Sequence, residues 1–526
     1  MYTVIFGVFA VWLSYKLVTH LRRRARSTLL AGPPNPSWLL GVGRYLTKSA
    51  DPGLVYEQWA KEYGSVYKVP ATMGYSRVVL CDPKAILHFY SHETFGYMQT
   101  ELTKRSIENI VGKGILWAEG ESHKRQRKAL SPAFSNAAIR RLTPVFYDSA
   151  YKTKAAWDTL IQSGSEDWAI IEVQNWMNNV SLDSVGIAGF SYDFGTLHGK
   201  YSAVADSFAS FGTLKPTLLG AVTFIVGLAL PILTKIPTDF RILVKRLNAS
   251  MGEIADELLA NMRKESEGEV KTEDKSIIGL LIKAEGSDAE LRLSQEEVMA
   301  QMKTLILAGY ETTSVSLTWA LIELCKKPEL QTKLREELLQ FSSNDPSWDQ
   351  LINNLPFLDA VFHEVLRLHP PVGETTRMAS SDDIIPLSTP LRTPSGTIVD
   401  RIAIPKGQVV TVPIHSMNRS CEFWGADAKE FDPERWLRPD GLPKRAQEIQ
   451  GHKHLLSFVD GPRICLGRGF AQAEFKAVLS VLIRNYVFEF RDGPDTKIEI
   501  VRGILPRPAI AGETGARIPL RVRRVE

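Results

Sequence analysis

The sequence predicts a mainly helical protein with small β-sheets, and three observations carry that reading. Periodic apolar segments of helical length dominate from residue 50 to 370. Short β-like runs cluster at 64–80, 384–411 and 488–522. The composition is that of a chain with a sizeable core, 44% of its 526 residues being hydrophobic and 23% charged. This length would suit about three average domains, but one large core also reaches it. Glycine (37) and proline (29) are near average usage, which excludes collagen-like and low-complexity classes. The net charge of +4 is too small to imply a nucleic-acid partner. Cys81, Cys325, Cys421 and Cys465 are too few and too scattered for a disulfide framework or a paired-cysteine metal site. They fit a reducing, cytosol-facing compartment.

The elements follow in chain order. Residues 3–21 are mostly apolar, with one charge at Lys16, and the basic cluster Arg22–Arg26 comes after the run. About 20 apolar residues cross a bilayer as a helix. A cleaved signal would carry its charge before the run and small residues at its end. The expectation is a retained single-span anchor over 1–21, with Lys16 snorkelling to the interface and the body in the cytosol. Pro33, Pro34 and Pro36 stiffen the segment that follows. Residues 22–42 therefore read as a basic, proline-rich linker, and 43–526 as one catalytic body. Gly41 and Gly43 complete no dinucleotide fingerprint, and no phosphate-binding loop motif is present.

Within the body, Thr217–Leu233 is a second apolar run, broken by Gly220, Gly227 and Pro231. It reads as a core helix or as a surface that dips into the membrane. Residues 263–292 are charge-rich and read as an exposed connection with one short helix. Ser294 and Glu297 match a capping box that opens a long helix to about Cys325. Lys327-Pro328 marks the next start. A further helix runs from about Leu355 to His369 and stops at Pro370-Pro371.

The chemistry concentrates at Phe458–Phe470. Gly461, Pro462, Gly467 and Gly469 make a tight turn, and a helix begins shortly after Cys465. A cysteine there feels the positive end of a helix dipole and nearby N–H donors, which favour a thiolate. That suits a nucleophile or a metal ligand, while a structural cysteine also fits these local features. The pattern F-x-x-G-x-R-x-C-x-G is complete in Phe458, Gly461, Arg463, Cys465 and Gly467. It resembles the cytochrome P450 family over roughly residues 33 to 510. The resemblance implies a helical body around a buried heme b whose iron is held by Cys465.

Three further stretches match the family in order. Ala308-Gly309-Tyr310-Glu311-Thr312-Thr313 resembles its oxygen-activating segment. The resemblance makes Gly309 the small residue where dioxygen sits, Thr312 a hydroxyl and Glu311 an ionisable neighbour for proton delivery. Glu364 and Arg367 share a helix face, and Pro433-Glu434-Arg435-Trp436 supplies the arginine that joins them in the family; the set reads as scaffold. Heme-propionate partners are expected at Arg127, Arg377 and Arg463, with His123 standing where the family commonly has Trp, and Phe458 in the heme loop. Cys421, where proline is common, reads as a neutral surface change.

The resemblance implies a microsomal, fungal-type monooxygenase of the endoplasmic reticulum membrane. It would insert one oxygen atom from O2 into a hydrophobic small molecule. Electrons would come from a separate NADPH-dependent reductase, with cytochrome b5 as an additional donor, since no flavin or nicotinamide motif is present. Lys124, Arg125 and Lys128 are candidates to attract an acidic reductase surface. Substrate contacts are expected at about 95–117, 207–214, 301–313, 372–376 and 503–505. Glu374 near them either recognises a polar group or turns to a protein partner. Terpenoid or other secondary-metabolite tailoring is the favoured role. Sterol or fatty-acid oxidation is an alternative. An electron-independent heme-thiolate isomerase or dehydratase is another, disfavoured by the intact Glu311-Thr312 pair. A non-catalytic heme-binding protein is the remote one.

Overall fold

The computed structural model describes residues 26–214, 217, 220, 223, 236–267, 277, 292–341 and 344–525. The apolar run at 1–21, nearly all of 217–233 and most of 263–292 lie outside the described residues. The main helices, in chain order, are α1 (Pro52–Tyr63), α2 (Pro83–Ser91), α3 (Gly120–Leu130), α4 (Asn136–Gln162), α5 (Val173–Phe190), α6 (Ala203–Phe211), α7 (Asp239–Glu267), α8 (Gln295–Lys326), α9 (Pro328–Leu339), α10 (Pro356–Leu368) and α11 (Arg468–Asn485). The strands are β1 (Val66–Pro70), β2 (Ser76–Leu80), β3 (Tyr97–Met98), β4 (Trp168–Glu172), β5 (Thr375–Ala379), β6 (Asp383–Arg392), β7 (Ile398–Ile404), β8 (Val409–Val412), β9 (Tyr486–Phe490), β10 (Ile498–Arg502), β11 (Pro506–Ile510) and β12 (Pro519–Arg524).

Local chemistry sets many of these boundaries. Asp51 and Asp82 accept backbone N–H groups at the starts of α1 and α2, and each is followed by a proline at the first helical position. The expected capping box is present: Ser294 and Glu297 satisfy each other's backbone N–H groups at the start of α8. The helix ends at Lys326, one residue past the expected Cys325, and Pro328 opens α9. Helix α10 occupies 356–368, within the expected span.

The chain divides into two compact units. The first comprises Met1–Glu101, Gly373–Ala428 and Lys444–Ile464. It holds a mixed sheet in the order β1-β2-β8-β5-β3 and the hairpin β6-β7. Strands β2 and β8 run parallel (Arg77 opposite Val409), while β5 runs antiparallel to β8 (Arg377 opposite Val410). The β-like runs expected at 64–80 and 384–411 fall in this unit.

The second unit comprises Leu102–Val372, Lys429–Pro443 and Cys465–Glu526. It carries helices α3 to α11, the sheet β4-β12-β9 and the hairpin β10-β11. Its core gathers Phe208 and Phe211 from α6, Leu247 and Met251 from α7, and Met302, Ile306 and Tyr310 from α8. Phe208 and Tyr310 stack with ring centroids 4.4 Å apart. Helix α8 is long and apolar enough to cross a bilayer, but most of its apolar window is buried inside the protein, so it is a core helix.

Candidate active site

Cys465 lies three residues before α11. Its side chain is open to a solvent probe, yet protein surrounds it densely enough that burial pushes the thiol pKa up. Both observations hold for an atom that faces an enclosed space instead of the outer surface. The Gly467 N–H, Arg127 and Arg468 pull the other way and favour the anion. A metal at the sulfur removes the proton outright.

Helix α8 supplies a second face of this kind. Tyr310, Glu311 and the residues from Thr313 to Cys325 are buried. Ala308 is exposed, and Leu305 and Thr312 are partly so. Positions 305, 308 and 312 share one helix face, so this stripe of a core helix is left partly uncovered by protein. The Thr312 hydroxyl donates to the Ala308 carbonyl at 2.7 Å.

Gly309 lies close against α5. A Cβ there would lie 2.7 Å from Val185 Cγ2 on α5. Gly309 removes bulk for the packing of α5 on α8, and the small residue on the open stripe is Ala308. Glu311 also has a role the sequence did not show. Its carboxylate pairs with the Arg507 guanidinium of β11, and both side chains are almost wholly buried. Burial pushes the Glu311 pKa up, while Arg507 and the Leu505 N–H pull it back. Glu311 thereby ties α8 to the turn between β10 and β11, part of the expected substrate segment 503–505.

The expected scaffold is present in full. Arg367 Nε and Nη2 donate to the two Glu364 oxygens at 2.8 Å each. The Asp432 N–H and Trp436 Nε1 donate to the same carboxylate at 3.0 Å, and Arg435 Nε lies 3.7 Å from it. Glu364 and Arg367 are fully buried. A buried charge pair is stable when its lone pairs and protons are so filled.

The expected cations divide between the units. In the second, Arg127 is half-buried on α3, and burial lowers its pKa while Cys465 raises it, which places guanidinium and sulfur in one electrostatic neighbourhood. His123 is buried one helical turn earlier on α3. In the first unit, Arg377 leaves β5 and Arg463 precedes Cys465 by two residues, and Phe458 packs edge-to-face on His452. Val459, next to Phe458, holds φ at +51°, a conformation that costs energy for a β-branched residue. Glu374 turns to protein: it pairs with Arg77 at 3.1 Å and accepts from the Tyr56 hydroxyl at 2.7 Å. Arg125 is likewise engaged, by Glu297 and the Arg292 carbonyl, whereas Lys124 and Lys128 are exposed.

Three acidic or basic residues escaped the sequence reading: Glu93, Arg507 and Glu474. Their partners lie far away in the chain or are uncharged hydroxyls, so no local pattern marks them.

The donor chemistry fits a heme: an accessible thiol in dense surroundings, an uncovered stripe on the helix that carries Thr312, and arginines suited to carboxylates. Fold and site together define a heme-thiolate protein. The cytochrome P450 family model matches residues 31–509, and the chain belongs to that family. The chain is 62% identical to the cytochrome P450 monooxygenase claQ of Ampulloclitocybe clavipes, over 99% of this chain and 98% of that protein. It is 35% identical to cytochrome P450 monooxygenase 128 of Postia placenta, over 98% and 96%. It is 32% identical to the ganoderic acid synthetase of Ganoderma lucidum, over 91% of each. The protein is therefore a monooxygenase of this family, with heme b and a cysteine thiolate ligand as its cofactor. Such enzymes take electrons from a reductase and act on hydrophobic substrates.

Proposed function

We propose that the enzyme oxidises a hydrophobic small molecule in secondary-metabolite biosynthesis, with a terpenoid as the first substrate class to try. The likeness to a protein named ganoderic acid synthetase supports the metabolic direction. The apolar side chains of Ile115, Leu214, Leu305 and Ile504, partly buried in the expected substrate segments, support a hydrophobic ligand.

In this reading Cys465 would hold the heme iron through its thiolate, and the observation that carries it is an accessible sulfur enclosed by protein in a complete family motif. Bound heme supplies oxygen activation and C–H oxidation. Thr312 presents a hydroxyl that moves a proton along the uncovered stripe of α8. Glu311, held by Arg507, orients the 503–505 turn against that stripe and is the ionisable partner in proton delivery. Arg127, Arg377 and Arg463, with His123, would hold the propionates of a bound heme. Residues 1–21 anchor the enzyme in the endoplasmic reticulum membrane, with 43–526 in the cytosol, where a membrane-bound NADPH-dependent reductase, assisted by cytochrome b5, supplies electrons.

The test is the reduced, carbon monoxide-bound absorption spectrum of the membrane-expressed protein beside Cys465→Ser. A strongly red-shifted Soret band in the wild type, lost in the variant, is the expected result. A histidine-like band in well-folded wild type overturns the assignment of Cys465.

A further inference from the structure

The first unit sets one buried acid among two of the expected propionate arginines. After α2 ends at Ser91 the chain turns through Glu93 and Thr94, and Thr94 holds φ at +100°. Glu93 bridges to Tyr97, and Tyr97 pairs with Ala379 of β5, the strand that carries Arg377. The heme-loop segment approaches the same turn. Gly461, at φ +68°, lies so close that a Cβ there would come within 2.3 Å of the Tyr90 carbonyl oxygen. Three separate stretches of chain thus meet around the Tyr90–Glu93 turn.

The Glu93 side chain is almost wholly buried, and its Oε1 lies 2.8 Å from Arg377 Nε. Neither carboxylate oxygen accepts a well-aligned hydrogen bond from the described residues, so the Arg377 contact is one of charge. Burial pushes the carboxyl pKa up, and Arg377 and then Arg463 pull it down. Arg377 also donates from Nη1 to the Thr376 carbonyl at 3.0 Å. The guanidinium is thus held by one hydrogen bond, from Nη1, and by a close charge contact at Nε.

We infer that Glu93 is a positioning residue for the heme: its carboxylate fixes the Arg377 guanidinium and offsets part of the positive charge that Arg377 and Arg463 offer the propionates. The inference rests on reading those two arginines as propionate donors. A buried anion beside propionate donors would disfavour adding an electron to a heme that they held, because charges interact strongly away from water. Removing the charge therefore raises the midpoint potential, whereas removing the acceptor frees Arg377 to move.

Two variants of the full-length holoenzyme separate these effects. Glu93→Gln keeps an oxygen acceptor and removes the charge. It should raise the heme midpoint potential while the rate of heme transfer to excess apomyoglobin stays near wild type. Glu93→Ala removes both, and should raise the potential and speed heme loss severalfold. An unchanged potential in Glu93→Gln overturns the inference, as does an unchanged heme-loss rate in Glu93→Ala. Should Glu93→Ala fail to accumulate, the glutamine variant alone decides. Arg377→Ala, run in parallel, tests the underlying reading. If it does not hasten heme loss, the propionate assignment falls and the inference with it; if it does while the Glu93 variants match wild type, only the inference falls.

Discussion

Glu474 shows what a single buried carboxyl does to a whole protein. It sits on α11, fully buried, with the hydroxyls of Ser181, Ser184 and Thr313 as neighbours. Among the described residues no cation compensates it. Burial pushes its pKa up to about 8, and the hydroxyls only partly offset that. In the unfolded chain the group titrates near the ordinary glutamate value of 4.5. Between those two values the folded state holds a proton that the unfolded state has lost, so stability falls as pH rises through that window and is flat below it. The slope is at most about 1.4 kcal/mol per pH unit. Glu474→Gln should remove it: in thermal unfolding from pH 5 to 9 the gain should be smallest at pH 5, grow with pH and level off above about pH 8. Equal pH dependence in both proteins would contradict a neutral, buried Glu474. Gly309 is the second case at this scale. Gly309→Ala should cost about 1–3 kcal/mol of stability through overpacking on Val185. The double variant with Val185→Ala should recover most of the loss in urea unfolding. A destabilised Gly309→Ala that Val185→Ala does not relieve would show that the close approach of α5 is not the reason for the glycine.

Elements reveal why parts of this site were legible in the sequence and others not. The capping box of α8 was legible because it is a pattern over four consecutive residues. Cys465, Glu364 and Arg367 were legible because each sits in a short motif whose chemistry needs that spacing. The facing of Gly309 was not, because a motif names residues on a helix and not which neighbour each one meets. The pairing of Glu311 with Arg507 joins positions 196 residues apart, and nothing local in β11 announces it. The pair makes its own prediction. Arg507→Gln leaves Glu311 buried without a counter-charge, and losing one partner of a buried pair costs about 3–5 kcal/mol. Glu311→Gln combined with Arg507→Gln removes both charges and should restore much of that loss, giving a large coupling energy in a double-mutant cycle of thermal unfolding. Additive losses would mean that the two charges do not act as a pair. Because Glu311 also accepts from the Leu505 N–H, the same variants should weaken binding of ligands that lean on the 503–505 turn.

For the whole molecule, the net charge of +4 says little about partners, and the placement of individual charges says more. Helix α3 turns His123 and Gln126 inward, and exposes Lys124 and Lys128 one turn apart. Arg125 was expected to join those lysines against a reductase, but its guanidinium is committed to Glu297 at the start of α8. Reversing Arg125 would therefore break an internal contact and confuse a docking experiment with a folding one. Lys124 has only a loose pairing with Glu121 at 3.9 Å, both side chains being largely exposed, and such a pair contributes little. Its charge remains available to a partner. Lys124→Glu with Lys128→Glu should leave the carbon monoxide spectrum and thermal stability near wild type while slowing reduction by the reductase severalfold at low salt. The difference should shrink as salt rises, because exposed charges more than about 10 Å apart are screened at 0.1 M ionic strength. Reduction at the wild-type rate in low salt would remove this face of α3 from the docking surface. A slowing that salt does not relieve would point instead to a change inside the heme site, one helical turn away at Arg127.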